Sequence, residues 1–100
     1  MKKIPVVVNI TRSGYDIYIG RKTKRHCASK WNNPFYIGKD GARGEVIKKF
    51  EDYIKRKPEL LDSLNELEGK RLGCWCKPLP CHGDVLVKLF KERFGKESFL

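Results

Sequence analysis

The spacing of apolar residues changes along the chain, and each change marks an element. "IPVVVNI" (4–10) and "YDIYIG" (15–20) are β-branched and aromatic, separated by the turn-like "TRSG", and read as a pair of strands. In the second, Tyr15, Ile17 and Ile19 alternate with Asp16, Tyr18 and Gly20, as in a half-buried strand. Residues 21–34 carry charge, Asn and Pro without periodicity, so they form a long loop, which in a compact domain is a place for function. "FYIG" (35–38) is expected to add a short strand.

The period then lengthens. Val46, Ile47, Phe50, Tyr53 and Ile54 recur at three- and four-residue spacing and predict a helix over about 42–57, with Asp40 as its start signal. Pro58 stops that helix and opens a second, whose buried stripe is Leu60, Leu61, Leu64 and Leu67 and whose end is Gly69. "KRLGCWC" (70–76) reads as a strand. Asp84 then caps a last helix that turns Val85, Leu86, Leu89, Phe90 and Phe94 to the core. The order predicts a small α/β or α+β fold: a sheet of three to four strands with about three helices, one domain over residues 1–100. Pockets in such sheets form where strands end and helices begin.

Composition fits that picture. At 100 residues, 40% hydrophobic and 11% aromatic, the chain can fill one core and has no room for a second. The apolar run near its start, Val6-Val7-Val8, is far short of the roughly 20 residues that span a bilayer. Met1-Lys2-Lys3 is followed by no leader-like segment, so the expectation is a cytoplasmic protein that avoids membranes.

Charge adds a partner class. The net charge is +10, and residues 1–30 hold eight of the 22 bases (Lys2, Lys3, Arg12, Arg21, Lys22, Lys24, Arg25, Lys30) against one acid, Asp16. This surplus, densest at "GRKTKRH", favours phosphate-bearing small molecules or nucleic acid. A plain solvated surface is the alternative.

The densest chemistry lies in "GCWCKPLPCHGD" (73–84), which holds three of the four cysteines. A disulfide framework is not expected inside a cell, although in a heat-adapted organism Cys76–Cys81 would be the pair. Zinc could take Cys74, Cys76, Cys81 and His82, but adjacent Cys81 and His82 do not have finger-like spacing. Alternatively, Cys81 and His82 precede a helix whose amino end lowers a thiol pKa and attracts anions, and Asp84 is near enough to orient His82. With Cys76, these residues could serve as nucleophile or general acid–base. A third reading packs the cysteines beside Trp75 as small apolar groups. The expected cofactor set is none, with zinc as the alternative.

Other residues point to a ligand. Arg43 falls in the first turn of a predicted helix, where a cation is disfavoured unless an anion or Glu45 compensates it. Arg21 follows a strand end, Asn33 sits in the fixed turn Asn32-Asn33-Pro34, and Trp31 or Phe35 could stack on a base.

"YIGR" (18–21), "SKWNNPF" (29–35), "DGARGEVI" (40–47) and "LGCWCKPLPCHGDVL" (72–86) together resemble a bacterial, archaeal and phage family known as domain-of-unknown-function family 4326. The resemblance spans about Val8 to Leu89. The family pattern matches Ile19-Gly20-Arg21, Asn33-Pro34-Phe35, Arg43, and Cys74 to Asp84. Asn32 stands where the family tends to have Gly, and "HC" at 26–27 is extra, which argues against Cys27 as a ligand. The family name brings no reaction.

The leading expectation is therefore a pocket for a nucleotide or nucleic-acid end. Arg21, Asn33, Arg43 and Trp31 would hold it, and Cys76, Cys81, His82 and Asp84 would do any group transfer or hydrolysis. A zinc-stapled, non-catalytic nucleic-acid module and a phage-type protein-interaction domain are the other readings. The composite pocket requires Cys76, Cys81 and His82 to face the same cavity as Arg21 and Arg43.

Overall fold

In the computed structural model, which describes residues 2–95, the centre of the sheet comes from late in the chain. Strand β3 (Arg71–Cys74) lies between β1 (Val6–Asn9) and β2 (Ile17–Tyr18), parallel to both. Val6 to Asn9 stand opposite Arg71 to Cys74, and Ile17 and Tyr18 opposite Leu72 and Gly73. This corrects the expected pairing of the first two strands. The turn after β1 does not fold back as a hairpin: Asn9 accepts from Thr11 N at 2.9 Å, and the chain moves on by one full strand position. Asp16 then anchors it to the far side of β3, accepting from Arg71 N at 2.8 Å.

Helix α1 (Arg43–Lys55) buries Val46, Phe50 and Ile54, the stripe its spacing predicts. Its amino end departs from expectation. Glu45 accepts from Ala42 N at 3.0 Å, while Asp40 accepts from Tyr36 N at 2.8 Å. That bond curls "FYIG" into a turn instead of a strand, with Gly38 and Gly41 at φ of 95° and 134°, where glycine is favoured.

The second predicted helix is split. Helix α2 (Pro58–Asp62) ends at Ser63, whose hydroxyl donates back to Glu59 O at 2.9 Å, and a 3-10 turn (Leu64–Leu67) follows. Leu60, Leu64 and Leu67 are buried as expected, while Leu61 is half-buried. Gly69 ends the segment at φ 66°.

Helix α3 (His82–Phe94) buries Val85, Leu86, Leu89 and Phe90. Its cap residue is Cys81, not Asp84; Asp84 lies in the first turn and accepts from Cys81 N at 3.1 Å. Gly83 lets the helix start close to the sheet, because a Cβ there would stand 2.9 Å from Ile19 and Val7 side chains. Among the described residues, three parallel strands and three helices make this an α/β fold, with Ile19, Phe50, Ile54, Leu72, Leu86 and Phe90 at its core. Among the described residues no helix is long and apolar enough to cross a membrane.

Candidate functional site

Because all strands are parallel, β2 and β3 end on the same side of the sheet, where α1 and α3 begin. A cavity of about 430 Å³ opens there. Its wall brings together Arg21, Asn33, Arg43, Cys74, Cys76, Cys81 and His82, and among the described residues no Asp or Glu lines it. Two of the predicted site residues are elsewhere. Trp31 is 2% exposed, a core residue that cannot stack on a ligand here. Asp84 faces away from the cavity, accepting from Lys77 Nζ at 2.6 Å and from Cys81 N.

Arg21 is held by backbone. Its Nε donates to Asn33 O at 2.9 Å, its Nη2 donates to Phe35 O at 2.6 Å, and its plane lies 3.9 Å from the Tyr36 ring centroid. Arg43 donates once, from Nη1 to Pro80 O at 2.9 Å. Neither has a carboxylate partner among the described residues. Both therefore keep guanidinium hydrogens for an anion, and the amino ends of α1 and α3 add backbone N–H groups of the same sign.

Asn33 acts on the protein itself. It is buried, its Nδ2 donates to Val46 O at 3.2 Å, and its Oδ1 accepts from Phe35 N at 2.9 Å. It fixes the loop that presents the carbonyls to Arg21.

His82 is also committed. Its Nε2 lies 2.7 Å from Ile19 O, and since a carbonyl only accepts, that nitrogen carries the proton. Burial pushes its pKa below the usual 6.5, and the Arg21 charge acts in the same direction, against the pull of the Ile19 and Trp31 backbone. The neutral ring ties the start of α3 to the end of β2, and Nε2 is not available as a base. Asp84, turned to Lys77, does not orient it.

The sulfurs divide into a pair and a single thiol. Cys74 and Cys81 are buried with Sγ atoms 3.4 Å apart, whereas Cys76 is half-buried and Cys27 is exposed. The Cys81 thiol facing Cys74, aided by the N–H groups of Lys77 and Cys76, moves the Cys74 pKa down; contact with Cys74 and burial move Cys81 up. Of the two, Cys74 is the one faced by the N–H groups of Cys76 and Lys77, which favour a thiolate; the sequence offered it as a zinc ligand or as a packed apolar group. Among the described residues no three His, Cys, Asp or Glu side chains are grouped to hold a metal ion. The intervening loop is pinned by Asn9, whose Nδ2 donates to Lys77 O at 2.8 Å and Trp75 O at 3.2 Å.

The rim contains aromatics that sequence reasoning did not select. Trp75 and Tyr36 are 49% and 48% exposed. Trp75 Nε1 donates to Tyr18 OH at 3.0 Å, and Tyr18 OH donates to Arg21 O at 2.6 Å, folding its ring over Gly20 where a side chain would collide. His26, from the "HC" insertion, stacks on Tyr18 at 4.2 Å and meets the Trp75 ring edge-on. A signal for Trp75 was present: between two inward cysteines, an alternating strand turns it to solvent.

No solved structure matches the chain. The chain is similar to a protein of Enterobacteria phage T4 described as an uncharacterized 12.4 kDa protein in the nrdA-td intergenic region. The two are 42% identical over 101 aligned residues, covering 92% of this chain and 86% of the phage protein. A family model matches residues 7–92, and on that match the chain belongs to the family described as Domain of unknown function (DUF4326).

Proposed function

We propose that the chain binds a phosphate-bearing ligand of the nucleotide class in the cavity between the strand ends and the starts of α1 and α3. The observation that carries this is the pair of arginines, Arg21 and Arg43, lining a pocket where, among the described residues, there is no acid and neither arginine has a carboxylate partner. Arginine holds phosphate through two parallel N–H bonds, and the backbone bonds of Arg21 fix its plane beforehand. The volume lies within the ~300–1,000 Å³ of small-molecule sites. Tyr36 and Trp75 offer flat apolar surface at the mouth for a base.

Binding is the core of the proposal; any group transfer or hydrolysis would fall to the thiols, since His82 and Asp84 are engaged elsewhere. A nucleic-acid end is the second reading, favoured by exposed Lys22, Lys24 and Arg25 on the loop that His26 pins beside Trp75. Calorimetric titration with nucleosides, their 5′-phosphates and 5′-phosphorylated oligonucleotides at several salt concentrations tests the proposal. Phosphate-dependent binding with a shallow salt slope is expected. Equal binding of nucleoside and nucleotide, or of neither, would overturn it. Affinity confined to oligonucleotides, falling steeply with salt, favours the second reading.

A further inference from the structure

Cys74 and Cys81 stand apart from the ligand reading, because their arrangement has its own chemistry. They lie at the carboxyl end of β3 and at the cap of α3, joined by a short loop, with their sulfurs 3.4 Å apart. No other two sulfurs are in contact among the described residues. A disulfide needs ~2.0 Å, so the sulfurs must approach by only about 1.4 Å.

Although each side chain is nearly inaccessible to water from outside, both residues line the cavity, which gives a small reagent a way in. The surroundings also differ from an apolar core site. Cys74 faces the N–H groups of Cys76 and Lys77 and lies near the Lys77 ammonium, all of which favour a thiolate. Cys76 lies in the turn where Leu79 N donates to its carbonyl at 2.8 Å, and its sulfur meets no other.

We propose that Cys74 and Cys81 form a modification site in which a two-electron oxidant of the hydroperoxide class joins them in a disulfide within the pocket wall. Cys74 thiolate attacks one peroxide oxygen; the S–O bond forms, the O–O bond breaks, and the departing oxygen takes a proton and leaves as water or an alcohol. Cys81 then attacks the sulfur of the resulting sulfenic acid. The S–S bond forms, the S–O bond breaks, and the leaving hydroxide combines with the proton of the Cys81 thiol as water. Two thiols and one hydroperoxide thus give one disulfide, one water or alcohol, and one further water. This chemistry is independent of which ligand the pocket holds.

The test uses the reduced full chain treated with hydrogen peroxide, after which remaining thiols are alkylated with iodoacetamide and the protein is mapped by mass spectrometry. Before oxidation all four cysteines are alkylated under denaturing conditions; afterwards only Cys27 and Cys76 are, and one cross-linked peptide joins Cys74 to Cys81. Cys76→Ser and Cys27→Ser proteins should oxidise like the parent. Cys81→Ser should accumulate sulfenic acid at Cys74, trapped by dimedone; if that variant does not fold, the map of the parent chain decides. A disulfide through Cys76, oxidation confined to Cys27 or Cys76, or one zinc per chain that leaves Cys74 and Cys81 reduced would overturn the proposal.

Discussion

On the outer side of α1 and α3, Glu51 holds Lys55 at 2.9 Å and Lys88 at 2.8 Å, and Asp62 holds Arg93 at 3.0 Å. At the pocket mouth, Arg21 and Arg43 face no carboxylate among the described residues, and no acid occurs in the sequence between Asp16 and Asp40. The two regions use similar side chains for opposite ends. In the first, opposite charges satisfy one another and join elements; the bonds of Glu51 hold α1 to α3. In the second, like charges are gathered where they repel, an arrangement that stability alone would not select. Net charge is therefore a poor guide, and the location of the missing acids is a better one.

The comparison can be broken at either region. The largest effect is expected from Arg21→Lys: nucleotide affinity should fall about tenfold to a hundredfold, as lysine cannot reproduce the planar fork. Lys88→Met should leave affinity unchanged in the same titration, and equal losses in both proteins would erase the distinction. Next, Gly83→Ala should cost about 1–3 kcal/mol in denaturant unfolding, because a Cβ 2.9 Å from Ile19 and Val7 pushes the start of α3 off the sheet. An unchanged midpoint would show that the mouth does not depend on that close approach.

Glu51→Gln should cost about 1 kcal/mol at neutral pH, a discounted figure for a partly solvated pair. Hydrogen bonds from Lys88 and Lys55 lower the Glu51 pKa from 4.5 to about 2. A depressed carboxylate stabilises the fold above its unfolded pKa and loses that contribution as pH falls from about 4.5 to about 2. Parent and variant melting curves should therefore converge near the lower limit.

His82 supplies a smaller slope at higher pH. Burial lowers its pKa, so the unfolded chain takes up the proton first and stability declines as pH falls below about 6.5. His82→Gln should flatten that part of the melting-temperature profile. Smallest of all, Arg25→Ala should change nucleotide affinity by less than about twofold, as an exposed charge screened by salt. A larger loss with oligonucleotides alone would move the balance to the nucleic-acid reading.

Much of this was legible in local pattern. The stripes Val46–Phe50–Ile54 and Val85–Leu86–Leu89–Phe90 encode their helices in adjacent turns, so periodicity suffices. The partner of β1 is not encoded near β1, and two neighbouring strand-like runs look like a hairpin until β3 is seen between them. "FYIG" has strand composition but is captured by Asp40, a contact that alternation cannot reveal. At the site, Arg21, Arg43, Cys76, Cys81 and His82 line one cavity, because strand ends and helix starts share a side of a parallel sheet. Trp31 lies in the core and Asp84 turns to Lys77, since residue type does not say which way a side chain points. Spacing made Cys76 the partner of Cys81, whereas the pinned loop brings up Cys74.

The central position of β3 also governs when the molecule comes into being. On the ribosome, β1 and β2 emerge early with nothing to pair against; their partners arrive 65 residues later for Val6 and 55 later for Ile17. A nascent chain halted before Arg71 has the residues of α1 and α2 but no sheet, and lacks the pocket wall that Cys74 to His82 provide. Sheet and cavity therefore appear together in a late step dominated by long-range contacts, the slow kind in folding. Ligand affinity in a translation-arrest series should switch on after β3 and the start of α3 have left the exit tunnel, with no partially competent species before it.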